Sequence, residues 1–200
     1  GGGSALLAAP AEGVPLSDLG GVAEALLDAG AEIDEINAVR KHLSSVKGGR
    51  LARAAAPATV VGLVLSDVVG NDLGVVASGP AAPDESTFSD ALDVLSAYGI
   101  DAPASVRDRL ERGARGEIEE TPRGGDPAFE RVRNHVVADG FTALAAARAV
   151  AEERGYATLL LSSRVRGEAR EAAKTQVGIA DEIRATGNPL AAPAVVLSGG

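Results

Sequence analysis

From Val132 to the end of the chain, short apolar runs alternate with amphipathic stretches, and that rhythm restricts the fold to the α/β class. The runs at 132–138, 158–161 and 194–197 read as strands, while 142–154 and 167–184 carry helical spacing. A strand that returns parallel to its neighbour needs a long crossover, usually a helix, so strand-helix-strand order means a mainly parallel sheet. Upstream, 59–65 reads TVVGLVL, without polar alternation. That is the pattern of a strand covered on both faces. The expected architecture is α/β, a mainly parallel sheet flanked by helices on both faces in a Rossmann-like three-layer sandwich.

The first third is helical. Ser17 is placed to cap a helix in which Leu19, Val22, Leu26 and Leu27 recur up to Gly30. A second helix is expected over 34–47, stopped by Gly48 and Gly49. The stretch 66–80 is loop-rich, with a short strand expected at 73–77. From about 81 to 129 the pattern changes to a helical and irregular insertion. It should hold helices near 88–98 and 103–112, then a charged, exposed and mobile connection over 113–127.

Only three Phe, two Tyr, no Trp and no Met are present, so a hydrophobic fraction of 46% must build an aliphatic core. The formal charge of −9 argues against a nucleic-acid partner, which requires a basic surface. No apolar run reaches the roughly 20 residues needed to cross a bilayer, and no signal-peptide pattern opens the chain. With no Cys, disulfides and thiolate chemistry are excluded. These features fit a cytoplasmic protein. They leave room for a homo-oligomer.

Within this acidic chain, 37–53 reads NAVRKHLSSVKGGRLAR, and no carboxylate lies between Glu35 and Asp67. At helical spacing Asn37, Arg40, Lys41, Ser44 and Lys47 form one stripe, with Arg50 and Arg53 beyond it. Ile36, Val39, Leu43 and Val46 form a neighbouring apolar stripe suited to docking on a sheet. A row of donors without acidic partners points to an anion site, set against the plainer reading of a solvated basic face. Gly1, Gly2, Gly3 and Ser4 offer backbone N–H groups and a hydroxyl to phosphate oxygens. The same letters also serve as a flexible linker.

Asp67 directly follows the apolar strand, at the sheet edge where α/β proteins bind ligands. A carboxylate there can accept a hydroxyl proton or support Mg²⁺, with Asp72 as a second candidate. An Asx turn feeding the Gly70-Asn71 bend explains the same residues equally well. Ser78 and Gly79, and after the last strand Ser198, Gly199 and Gly200, are further turn residues able to face phosphate. Neither a Walker loop nor a dinucleotide glycine fingerprint is present.

Five segments share an order and spacing with one family: GGGSALLAAP from Gly1, INAVRKHLSSVKGGRLA from Ile36, SDVVGNDLGVVASGP from Ser66, GEAREAA from Gly167 and LSGG from Leu197. Together they resemble the glycerate 2-kinase family, two-domain enzymes whose second domain is called MOFRL. The resemblance implies that residues 1–200 are a partial N-terminal α/β domain, with the MOFRL domain absent. It also implies ATP and Mg²⁺ as cofactors and transfer of phosphate from ATP to the 2-hydroxyl of D-glycerate. Lys47 and Asp67 become the candidate catalytic residues, with Asp67 and Asp72 near Mg²⁺. Phosphate or substrate contacts then fall to Gly1, Gly2, Gly3, Ser4, Asn37, Arg40, Lys41, Ser44, Gly48, Gly49, Arg50, Ser78, Gly79, Ser198, Gly199 and Gly200. Asn71 stands where the family often has Asp. Rival expectations are a hydroxypyruvate reductase and a non-catalytic nucleotide- or anion-binding module.

Overall fold

The computed structural model describes residues 2–200; the expectation for Gly1 lies outside them. The chain divides into two compact units. One runs through Leu63 and resumes over Asp72–His135; the other holds Val64–Asn71 and Val136–Gly200. Both are mixed α/β, with parallel strands and flanking helices.

The first unit is dominated by helices: α1 (Gly3–Leu6), α2 (Leu16–Asp28), α3 (Ile33–His42), α4 (Arg50–Ala55), then α5 (Phe88–Ala97) and α6 (Ala104–Ala114). Its core is made by Val22 and Leu26 of α2, Ile36 and Val39 of α3, Phe88, Ala91 and Leu95 of α5, and Val106 and Leu110 of α6. The expected insertion is therefore half of this core. The apolar stripe of α3 packs on α5, a helix, where a sheet was expected. Sequence periodicity shows that a face must be covered, without saying by what.

Helix α2 is capped from Pro15, and Ser17 falls inside its first turn. The helix expected over 34–47 stops at His42. Its end is set by pairing with a distant segment: Ala11 N donates to Leu43 O, Ser45 N donates to Ala9 O, and Ser44 bridges Pro10. Local propensity gives no hint of such a contact. Asp34 and Glu35 in the first turn and Arg40, Lys41 and His42 in the last suit the helix dipole.

The connection expected to be mobile is tied down instead. Thr121 is buried, Asp84 N donates to Pro122 O at 3.0 Å, and Arg53 pairs with Asp126 at 2.7 Å. Glu120 reaches back to His42, whose Nε2 lies 3.0 Å from Oε2, while its Oε1 accepts from Phe88 N at 3.1 Å. The short strand expected at 73–77 is absent; Val76–Ser78 is one turn of 3₁₀ helix.

Strands β1 (Val60–Leu65) and β2 (Val132–Ala138) are neighbours in a two-stranded sheet. In the first unit Val60 N donates to Arg131 O, and in the second Ser66 N donates to Ala138 O. Start meets start and end meets end, so the pair is parallel. Burial of β1 alternates, with Val61, Leu63 and Leu65 exposed. The expectation of two covered faces fails for this strand, because an all-aliphatic run hides which face is open.

In the second unit β3 (Ala157–Ser162) and β4 (Ala194–Ser198) pair in parallel, Ala157 opposite Ala194 and Leu160 opposite Leu197. Helix α8 (Ala169–Thr186) is the crossover between them, and α7 (Gly140–Glu153) packs against both strands. Here the elements match the sequence reading closely, since each is long, periodic and bounded by turn residues.

Candidate functional site

Lys47 leaves α3's end on a turn that its own neighbours fix. Ser44 Oγ accepts from the amides of Val46 at 3.2 Å and Lys47 at 3.3 Å, and donates to Ala9 O at 3.1 Å. Ser44 is thus a buried structural hydroxyl. Because α3 ends at His42, Ser44 and Lys47 do not continue its donor stripe.

The next two residues are bound to a second turn. Gly48 N donates to Ser78 O at 2.9 Å, Gly49 N to Gly79 O at 2.7 Å, and Ala52 N to Pro80 O at 3.3 Å. The amides of Gly48 and Gly49 are therefore engaged with backbone. Those bonds hold Ala77, Ser78 and Gly79 at φ values of 54°, 61° and 60°. A left-handed backbone costs a residue with a side chain about 1–2 kcal/mol, so it persists only where surrounding contacts over-determine it.

Gly49 shows how tightly the turns close. Its φ is +76°, and an added Cβ would lie 2.7 Å from Phe129 Cζ, 2.8 Å from Pro122 Cγ and 2.9 Å from Ala82 O. We expect Gly49→Ala to lower stability by about 1–3 kcal/mol through strain and overpacking. A urea melt of the chain measures it, and an unchanged midpoint would show that these turns are looser than drawn.

Lys47 itself is 1% exposed. Its ammonium donates to Ser4 O at 2.7 Å and approaches Ala77 O at 3.5 Å. No carboxylate pairs with it among the described residues. Burial, and then the charge of Arg40, pull its pKa from the lysine value down to about 8. Helix α1, preceded by Gly2 in a left-handed conformation, packs against Val76–Ser78, so the Lys47 ammonium binds two turns together.

Beside it, Ser78 Oγ lies 2.9 Å from Asn37 Oδ1 and 3.2 Å from Ser4 Oγ. An amide oxygen can only accept, so the Ser78 proton goes to Asn37 and the Ser4 hydroxyl donates in turn. Asn37 is 2% exposed, and its Nδ2 has no partner among the described residues. Buried donors without acceptors are uncommon in folded proteins. Arg40 is half-buried, forms no ion pair among the described residues, and has its pKa lowered by burial.

Asn37, Arg40, Lys47, Ser4 and Ser78 thus share a donor-rich, acid-free corner of the first unit. Lys41 does not belong to it: its ammonium pairs with buried Asp84 at 3.0 Å. Burial pushes the Asp84 carboxyl up, but the Lys41 charge and hydrogen bonds from Lys41 and Ser86 outweigh that and hold it below the usual range. Arg50 turns toward Glu119 O at 3.5 Å. Its pKa is lowered by burial and then by Arg53.

The two acidic candidates fall in different units. Asp72 is an exposed turn residue of the first unit whose Oδ1 accepts from Gly74 N at 2.8 Å. Asp67 is exposed directly after β1 in the second. No group of three or more acidic or His residues able to hold a metal exists among the described residues. Asp72 Oδ1 is already bound to backbone, so Oδ2 is the oxygen Asp72 leaves for any other ligand.

Ser198, Gly199 and Gly200 lie at the end of β4 in the second unit. There Gly199 N donates to Ser162 O at 2.9 Å, and Gly199 O accepts from Val165 N at 3.0 Å. This turn is part of the loop structure at the carboxyl ends of β3 and β4. Sequence reasoning missed Asp84, whose partner is 43 residues away. It also missed Asp139, although Asp139-Gly140-Phe141-Thr142 is a legible helix start. Asp139 Oδ1 accepts from Thr142 N at 2.9 Å.

Among similar proteins, a putative hydroxypyruvate reductase of Agrobacterium vitis is 48% identical over the full 200 residues, which cover 44% of its length. A D-glycerate 2-kinase of Thermotoga maritima is 43% identical, again over the whole chain and 45% of its own length. The crystal structure of a glycerate kinase from Thermotoga maritima superposes with a TM-score of 0.78 at 42% identity, covering 100% of this chain and 46% of that one. The chain therefore spans about half the length of these relatives. A family model described as "Domain of unknown function (DUF4147)" matches residues 1–111, which include Lys47, Asn37 and both turns they hold. The chain belongs to the DUF4147 family.

Proposed function

We propose that this chain is the anion-binding N-terminal part of a kinase that phosphorylates D-glycerate at its 2-hydroxyl, with ATP as donor. The observation that carries the reading is Lys47: among the described residues, a buried ammonium without an acidic partner, beside the buried Asn37 amide donor that has no hydrogen-bond partner. Phosphoryl transfer asks little covalent chemistry of a protein. It needs fixed cations and N–H or O–H donors where negative charge gathers. In the reaction a bond forms between the glycerate oxygen and the γ-phosphorus, and the bond to the β–γ bridging oxygen breaks. The hydroxyl proton needs an acceptor, for which Asp67 is a separate candidate, tested by Asp67→Asn.

A relative's name supplies a second reading, hydroxypyruvate reduction, which requires hydride from a nicotinamide cofactor. One pair of assays on the complete protein separates the two. ADP release coupled to a dye, with D-glycerate and ATP, should be robust. NADH or NADPH oxidation with hydroxypyruvate should stay at background. The opposite result overturns the kinase reading, and activity in neither assay overturns both.

A further inference from the structure

The second unit carries a hollow of about 330 Å³. It is lined by Val68, Val69 and Asn71 after β1, Asp139 and Phe141 after β2, and Arg164 after β3. The carboxyl ends of parallel strands are where open α/β sheets receive ligands. Its size falls at the lower end of small-molecule sites and is several times what a three-carbon acid fills.

We infer that this hollow takes the nucleoside of the phosphoryl donor, deepening the kinase reading above and resting on it. Three groups define the chemistry. Phe141, in the first turn of α7, lines the hollow and leaves more than half of its own surface exposed. An exposed ring in a polar hollow offers a stacking surface, which an aromatic base can use and an aliphatic acid cannot. Asp139 is ionised: hydrogen bonds from Asn71 Nδ2 at 2.8 Å and then from Thr142 hold its pKa down to about 2. Its Oδ2 accepts only the Asn71 bond among the described residues, which leaves a lone pair for a sugar hydroxyl. Arg164 is exposed and has no ion pair among the described residues, so its guanidinium is free for a phosphate oxygen.

The carboxylate argues against a bare phosphate at this spot. Asp139 closes the amino end of α7 with negative charge, so a phosphate group would meet repulsion where a sugar meets an acceptor. A base, a hydroxylated ring and an anionic group together describe a nucleotide.

The test is calorimetric titration of the complete protein with ADP and with adenosine, alongside KM values for ATP and D-glycerate. Phe141→Ala should raise the Kd of both ligands by about tenfold or more, the range of one lost stacking contact. Arg164→Gln should weaken ADP several-fold and leave adenosine unchanged. The KM for D-glycerate should not move in either variant. Both side chains are exposed, so melting temperatures are expected to match the wild type and confirm that the variants fold. Wild-type ADP affinity in both variants, with D-glycerate still phosphorylated, overturns this site and leaves the kinase reading standing. Phe141-dependent ADP binding without D-glycerate turnover does the reverse.

Discussion

Lys47→Ala is expected to lower kcat of the complete protein for D-glycerate by about a hundredfold or more, in line with the loss of one preorganised charge-stabilising donor. Two losses act together. The substitution removes the ammonium from a buried corner where, among the described residues, Asn37 and Arg40 are the other donors without an acidic partner. It also removes the group that joins Ser4 O to Ala77 O, so the strained turn at Ala77 and Ser78 loses one of the contacts that over-determine it. Lys47→Arg keeps the charge but needs more room than a 1%-exposed site gives, and should recover only part of the rate.

The pH profile separates the charge from the scaffold. The Lys47 pKa in the folded chain is lowered to about 8, against an ordinary value of 10.5. The charged form therefore predominates below about 8 and is half lost at that pH, so the Lys47-dependent rate should fall as pH rises through 8. For stability the sign is opposite. Between 8 and 10.5 the unfolded chain binds the proton that the folded chain has released, so unfolding free energy rises across that window. An alkaline limb near 8 that vanishes in Lys47→Arg supports a role for the charge. A flat profile to pH 9.5 in the wild type would place the chemistry elsewhere.

The second unit was legible because its signals are local. Alternating helices and strands separated by turn residues leave few ways to connect α7, β3, α8 and β4. In the first unit the decisive contacts are distant. Helix α3 ends at His42 because Ala11 N claims the Leu43 carbonyl and Ala9 O the Ser45 amide, and Glu120 is fixed because His42 stands 78 residues before it. Charge segregation drew attention to Asn37, Arg40 and Lys47, which the fold brings together, but it could not tell them from Ser44 and Lys41, which are engaged by Ala9 O and by Asp84. Helical periodicity cannot distinguish a donor facing a ligand from one buried against a carbonyl or a carboxylate. That distinction needs the fold.

Phe88→Ala should destabilise the chain by about 3–5 kcal/mol, the usual range for emptying a fully buried aromatic site. Phe88 is fully buried at the start of α5, within a core cluster whose other buried members are aliphatic. Its ring meets His42 edge-on, with centroids 4.6 Å apart and planes at 64°, and the Arg109 guanidinium lies 5.9 Å above its centre. On a third side Gly113 of α6 approaches so closely that a Cβ there would enter the ring. One side chain thus joins α3, α5 and α6. Gly113→Ala adds a methyl group against the same ring and should cost about 1–3 kcal/mol by overpacking, and the two changes should not be additive, because removing the ring makes room for the methyl group. Urea melts of both single variants and the double measure this. A double variant as unstable as the sum of its parts would mean that Phe88 and Gly113 are not in contact and that the three helices are held together by something else.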